Sequence, residues 1–277
     1  MEEWAFKRKI NLLGDVSVGK TSLVLRYVKN LFGDDYLKTI GTNVYKKQID
    51  FESGRVVLMI NDIMGEKTFR SVQEGAFRGS SGAIAVADIT RSDTYDSLLE
   101  DWLPRYKKFT DEDESIKDKS LPMILVVNKY DLADEDMIKE WEDRSYEIFD
   151  DMVFSSAKTG KNVEYIFSSI AARAQLDIRF SVKDMKEVIS KRAVETPGDL
   201  LDVMLALCSF LGDIPYERME EILTESGIDK FGLIKSHEIS EIEVIRFTDK
   251  LLGIYKKKDD EYAISIIDMA LGMYLQQ

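Results

Sequence analysis

Gly14-Asp15-Val16-Ser17-Val18-Gly19-Lys20-Thr21 decides how this chain is read. The stretch is glycine, four residues, glycine, lysine and a hydroxyl residue. Before it, residues 5–13 (AFKRKINLL) alternate enough for a strand. After it, residues 20–30 (KTSLVLRYVKN) carry a helical pattern. Glycines let the main chain wrap tightly, so successive N–H groups point inward at phosphate oxygens. A helix beginning near Lys20 adds its positive N-terminal dipole. The reading assigns Asp15, Val16, Ser17, Val18, Gly19, Lys20, Thr21 and Ser22 to a phosphate-binding loop. Lys20 would reach the β and γ phosphates, and the Thr21 hydroxyl would ligate Mg²⁺. Alone, this pattern does not separate ATP from GTP.

Working outward, 43–51 and 55–62 are β-rich runs split by Glu52-Ser53-Gly54-Arg55, the spacing of a hairpin. AIAVADI (83–89), MILVVNK (123–129) and MVFSS (152–156) are short apolar runs. Helical patterns separate them at about 92–108, 135–149 and 162–176. Strands alternating with helices predict an α/β fold of the P-loop type. Its six-stranded sheet would be mostly parallel, covered on both faces, with the hairpin adding one antiparallel strand. Beyond about residue 180 the alternation stops. Amphipathic segments at 181–192, 198–211, 216–226, 238–256 and 260–276 predict a helical domain over 181–277, after a first domain over 1–180. Residues 225–236 could instead hold a short hairpin.

The remaining chemistry sits at strand ends. Asp62 precedes Ile63-Met64-Gly65, so its carboxylate can hold a metal-bound water while the Gly65 N–H approaches the γ-phosphate. Asn128-Lys129-Tyr130-Asp131 ends another strand. A carboxylate there can accept from the N1–H and N2–H₂ edge of guanine, a donor pair that adenine lacks. Ser156-Ala157-Lys158 ends the last strand and could offer a backbone N–H to guanine O6. Each piece alone reads as an ordinary strand-end turn. Together and in this order they point to a guanine nucleotide at the carboxyl ends of the strands.

With these motifs, residues 5 to about 178 resemble a Ras-superfamily small GTPase, Rab-like in wording. The resemblance makes Thr39-Ile40-Gly41 look like switch I, with Thr39 a second hydroxyl ligand of Mg²⁺. It places Phe32 against guanine and ribose and Tyr36 over the γ-phosphate. Phe69-Arg70-Ser71, Phe77-Arg78-Gly79 and Asp88-Ile89-Thr90 look like switch II and the strand after it, and Trp102-Leu103 like the WL pair of the third helix. It implies a catalytic set of Lys20, Thr39, Gly65 and Glu66, with effector and regulatory proteins as partners. The departures are specific. Glu66 stands where a glutamine orients the attacking water, and Val16 where the family keeps a small residue. Asn61 and Val44 replace two aromatics of the Rab-type effector surface.

Composition bounds the rest. Of 277 residues, 38 are Lys or Arg and 51 Asp or Glu, a net charge of -13. An acidic chain repels nucleic acid and anionic membranes, so no nucleic-acid partner is expected and a nucleotide must meet a local exception. The single cysteine, Cys208, excludes an intrachain disulfide and reads as a core residue. The termini carry no signal-peptide pattern and no lipidation motif, so a cytoplasmic protein without a lipid anchor is expected. Three readings follow: a GTP/GDP switch that hydrolyses GTP slowly; a GTP-loaded scaffold signalling through its helices with little turnover; and an ATP-using P-loop enzyme. Asp131 argues against the last, and the only histidine, His237, lies outside the first domain.

Overall fold

The computed structural model describes residues 5–32, 42–51, 54–66, 70–111, 121–142, 144, 148–174, 182–192, 194–211, 214, 216–228 and 240–275. They divide into two compact units, residues 1–133 with 152–179 and residues 134–151 with 180–277. No described helix is long and apolar enough to cross a membrane.

The first unit is built on a six-stranded sheet in the order β2-β3-β1-β4-β5-β6. β1 (Ala5–Leu13) lies between β3 (Gly54–Ile63) and β4 (Gly82–Asp88), parallel to both. β4 also runs parallel to β5 (Met123–Asn128), and β6 (Asp151–Phe154) closes that side. Every residue of β4 and β5 is buried, which is why both read as unbroken apolar runs. β2 (Thr42–Phe51) is the one antiparallel strand, paired with β3 from Thr42↔Ile63 to Phe51↔Gly54. It is the edge of the sheet, and Lys46 and Lys47 discourage further strands from pairing there.

The parallel register sets the site. Leu12 pairs with Asp62 and Asp88 with Asn128, so the ends of β1, β3, β4 and β5 share one edge of the sheet. α1 (Lys20–Lys29) leaves that edge directly after Gly19, whose left-handed backbone (φ 101°) suits glycine. Asn30, also left-handed at φ 52°, ends it with its N–H on the Arg26 and Leu25 carbonyls. α1 is held to α6 (Val163–Arg173) by Tyr27 and Phe167, whose rings stack at 4.2 Å. On the other side lie α2 (Arg70–Phe77), α3 (Asp93–Ser97), one π-helical turn (Leu98–Trp102) and α4 (Leu103–Asp111). Phe77, Trp102 and Tyr106 are buried there, and the Tyr106 hydroxyl meets Ser80 at 2.6 Å.

The second unit is helical: α5 (Glu135–Glu142), α7 (Val182–Ile189), α8 (Pro197–Leu211), α9 (Tyr216–Ser226), α10 (Glu241–Lys257) and α11 (Glu261–Leu275). The helical pattern read over 135–149 is described as α5 over Glu135–Glu142 only, and no glycine or proline in the sequence marks a stop there. α10 begins with a reciprocal cap: Ser240 accepts from the Glu243 N–H, and Glu243 accepts from Ser240 N–H at 2.8 Å. Its core holds Trp141, Leu200, Met204, Phe247, Tyr255, Ile266 and the buried Cys208.

Inside this core sits a charged cluster. Arg192, 3 % exposed, bonds Asp151 at 3.1 Å and Asp202 at 3.4 Å. Burial pushes the Asp202 carboxyl up to about 8 against the pull of Arg192, with Asp199, Asp151 and Glu142 adding like charge. That the side chain is 22 % exposed moderates the burial. In the unfolded chain the same group titrates near 3.8. The native state therefore binds an extra proton between about pH 4 and pH 8, and stability falls as pH rises through that window. Asp202→Asn, which mimics the protonated acid, is expected to add about 1–2 kcal/mol at pH 8. It should also flatten the decline between pH 5 and 8. Thermal melts across that range check this; an unchanged slope contradicts it.

Candidate functional site

The loop from Gly14 to Thr21 and the turns after β3, β5 and β6 meet at the carboxyl edge of the sheet. Lys20 is 6 % exposed, and its ammonium donates to the carbonyls of Gly14 at 2.6 Å and Asp15 at 2.8 Å. Burial lowers it to about 8, opposed by the carboxylates of Asp62 and Asp15. An anion arriving in the loop restores full charge to this lysine. No acidic residue occupies the first turn of α1, so the helix terminus stays positive inside an acidic chain.

The Asp15 side chain turns away from the loop. Its carboxylate accepts from the Ser97 hydroxyl at 2.9 Å and the Trp102 indole N–H at 2.8 Å. Asp15 therefore lines the loop with main chain alone. The Val16 carbonyl accepts from Arg91 at 3.5 Å. Ser17 is exposed and left-handed at φ 66°, Val18 is buried, and Ser22 is half-buried in the first turn of α1. Thr21 donates to Asp62 at 2.7 Å, and Asp62 is fully buried. A hydroxyl beside a carboxylate, next to a phosphate-shaped loop, is a donor set that suits a hard cation such as Mg²⁺. Gly65 lies on the Asp15–Val16 main chain so closely that a Cβ would overlap it. Half-buried Glu66 follows on the same turn.

Asn128 joins this loop to the turns after β5 and β6. Its amide nitrogen donates to the Val18 carbonyl at 2.9 Å. Its amide oxygen accepts from the Ala157 N–H and the Ser155 hydroxyl, both at 3.2 Å. Asn128 also fills the space where a side chain on Gly19 would go. Lys129, left-handed at φ 67°, pairs with buried Asp88 at 2.5 Å. Asp131 accepts from the Ser156 hydroxyl at 2.5 Å, with the Lys158 ammonium at 3.7 Å. The structure thus brings together Asn128, Lys129, Asp131, Ser156, Ala157 and Lys158. Phe32 is 42 % exposed, with the Arg26 guanidinium 5.8 Å from its ring centroid. Tyr36, Thr39 and His237 lie outside the described residues.

Several supports escaped sequence reading. Arg26 of α1 donates to the Ala157 carbonyl at 2.8 Å and the Lys158 carbonyl at 2.5 Å, fixing that turn. Asp88 orients Lys129, and Ser97 and Trp102 hold Asp15. Asp88 ends a buried strand, as Asn128 does, and that position was the available signal. Asn61, which stands where Rab-type proteins carry an effector-surface aromatic, is 4 % exposed and donates to Asn11 at 2.9 Å, while Asn11 donates to Ser80.

Comparison with known proteins bears on the whole arrangement. Residues 9–176 match the family model described as Ras family. The chain is 31 % identical over 173 residues to the Ras-related protein Rab-1 of Theileria parva, covering 62 % of this chain and 76 % of the relative. It is 33 % identical over 213 residues to the human Ras-related protein Rab-30, covering 76 % of this chain and 98 % of the relative. A P-loop sheet in this strand order, with its motifs on one edge and these relatives, makes the chain a Rab-like member of the Ras family of small GTPases.

Proposed function

We propose that the protein is a Mg²⁺-dependent GTP/GDP switch whose intrinsic hydrolysis is slow, carrying a helical region, residues 181–277, as a second domain. The observation that carries the reading is the Asn128 bracket. It ties the phosphate-shaped loop at Val18 to the Ala157 N–H, beside the Asp131 carboxylate.

In this reading Asp131 accepts from the N1–H and N2–H₂ of guanine. The Ala157 N–H, which donates to the Asn128 amide oxygen in the structure, would be shared with guanine O6 on binding, and Lys129 would pack along the base. Ser156 and Lys158 already steady the carboxylate. Phe32 covers the open side, with Tyr36 closing over the γ-phosphate. Main-chain N–H groups of residues 15–20 and the Lys20 ammonium hold the phosphates, joined by the hydroxyls of Thr21 and Ser22. Thr21 and Thr39 would hold Mg²⁺ directly and Asp62 through water. When bound, the ion neutralises charge developing on the β and γ oxygens. Gly65 donates its N–H to the γ-phosphate, and loss of that phosphate releases the turn. Effector and regulatory proteins would read that change. Asp131→Asn presents a donor where guanine needs an acceptor. It should cost on the order of 10²-fold or more in GDP affinity and gain xanthosine diphosphate binding. Displacement titrations of the two diphosphates check it, and retained guanine preference contradicts the pocket.

Glu66 and Val16 govern the rate. A glutamine amide can donate to the γ-phosphate and accept from water, whereas an ionised carboxylate has no donor and faces a polyanion. Gly65 packs on the Asp15–Val16 main chain, so the side chains of Val16 and Glu66 flank one contact. A branched residue there also crowds the place where an inserted arginine, worth about 10³ to 10⁵ in rate, would fit. Val16→Gly with Glu66→Gln should accelerate single-turnover hydrolysis by more than the product of the single effects, because the two share one space. Fast turnover by the unaltered protein, or strictly multiplicative single changes, argues against this. Turnover too slow to follow in the unaltered protein would favour the GTP-loaded scaffold.

A further inference from the structure

Gln73 of α2 is fully buried. Its amide nitrogen donates to the carbonyls of Met64 and Glu66, both at 2.9 Å, on either side of Gly65. Its amide oxygen accepts from Arg105 at 2.8 Å. Both donor hydrogens and the acceptor of the amide are thus in use. Arg105 is itself fixed. Its Nε and Nη2 reach the two oxygens of Asp101 at 3.2 and 3.0 Å, and its guanidinium lies 5.0 Å from the Trp102 ring centroid. Trp102 donates to Asp15 of the phosphate loop at 2.8 Å. A ring of contacts runs from the loop through α4 and α2 into the turn at 64–66. It closes where Gly65 lies on Asp15 and Val16.

A peptide unit is planar and trans, so its C=O and N–H point in opposite directions. The Met64 carbonyl and the Gly65 N–H belong to one unit. Holding the carbonyl on Gln73 therefore fixes where the Gly65 N–H points.

We propose that Gln73, braced by Arg105, is the positioning residue that aims the Gly65 N–H at the terminal phosphate and so sets the preference for triphosphate over diphosphate. This rests on the nucleotide site proposed above. Gln73 acts through Gly65, not by touching the nucleotide. A glutamate at 73 keeps the size and an acceptor for Arg105 but turns an oxygen toward two carbonyls, so the hold is lost. Lysine at 105 keeps a donor for Gln73, and methionine removes it.

The test uses the full chain with Mg²⁺ and compares affinities for GDP and for a non-hydrolysable β,γ-imido GTP analogue. Gln73→Glu should weaken the analogue about tenfold or more, the scale of one lost hydrogen bond to a charged group. GDP affinity should stay within about twofold. Arg105→Lys should keep the unaltered ratio of the two affinities, and Arg105→Met should lose part of it. Equal losses for both nucleotides, or an unshifted ratio, overturn the proposal. If Gln73→Glu does not fold, the Arg105 pair decides: identical ratios in lysine and methionine variants overturn it. Failure of the unaltered protein to bind either nucleotide sinks the site itself; normal binding with an unshifted ratio in the variants sinks only the role of Gln73.

Discussion

The side-chain amide of Asn128 touches both halves of the site at once. Its nitrogen is bonded to the Val18 carbonyl and its oxygen to the Ala157 N–H, with the Ser155 hydroxyl alongside. An asparagine is suited to this because one end donates and the other accepts. Aspartate would set an oxygen against the Val18 carbonyl, and a larger residue would not fit beside Gly19. The constraint explains the glycine, the tight loop and the placement of the turn at 155–158. It also holds a phosphate-shaped loop at a fixed distance from Asp131, so that one ligand can span both.

Electrostatics follow the same local logic. The chain carries a net charge of -13, yet the loop offers Lys20 and an α-helix N-terminus free of acidic residues. Burial weakens the Lys20 charge while it rests on carbonyls, down to about 8, and a phosphate would restore it. A basic, partly desolvated cradle in an acidic chain is the local exception that the proposed nucleotide site needs.

The strands were legible because β4 and β5 are buried on both faces and therefore read as continuous apolar runs. The motif residues were legible because each ends a strand. What holds them was not legible. Asn128 reaches Val18 across 110 residues of sequence and Arg26 reaches Lys158 across 132, and no local pattern encodes such pairs. Asn61 shows the same limit: the sequence marked a missing aromatic but not the polar ladder through Asn11 and Ser80 that buries the asparagine. The helical pattern starting at 135 was visible, but its stop was not, because no glycine or proline marks it. Nor was the grouping of residues 134–151 with the C-terminal helices in one compact unit, where Ile138 and Trp141 are buried and Asp151 meets Arg192. The folding partners of a segment are a tertiary fact, while amphipathic periodicity is a local one.

In the proposed function the Asn128 bracket holds the phosphate loop beside Asp131, whose carboxylate selects guanine. Equilibrium competition with GDP, GTP and ATP against a fluorescent guanine nucleotide, in the presence of Mg²⁺, tests it most directly. GDP and GTP are expected to displace the probe tightly and ATP to be weaker by several orders of magnitude, because adenine leaves the Asp131 carboxylate without its donors. Comparable displacement by ATP and GTP would contradict it.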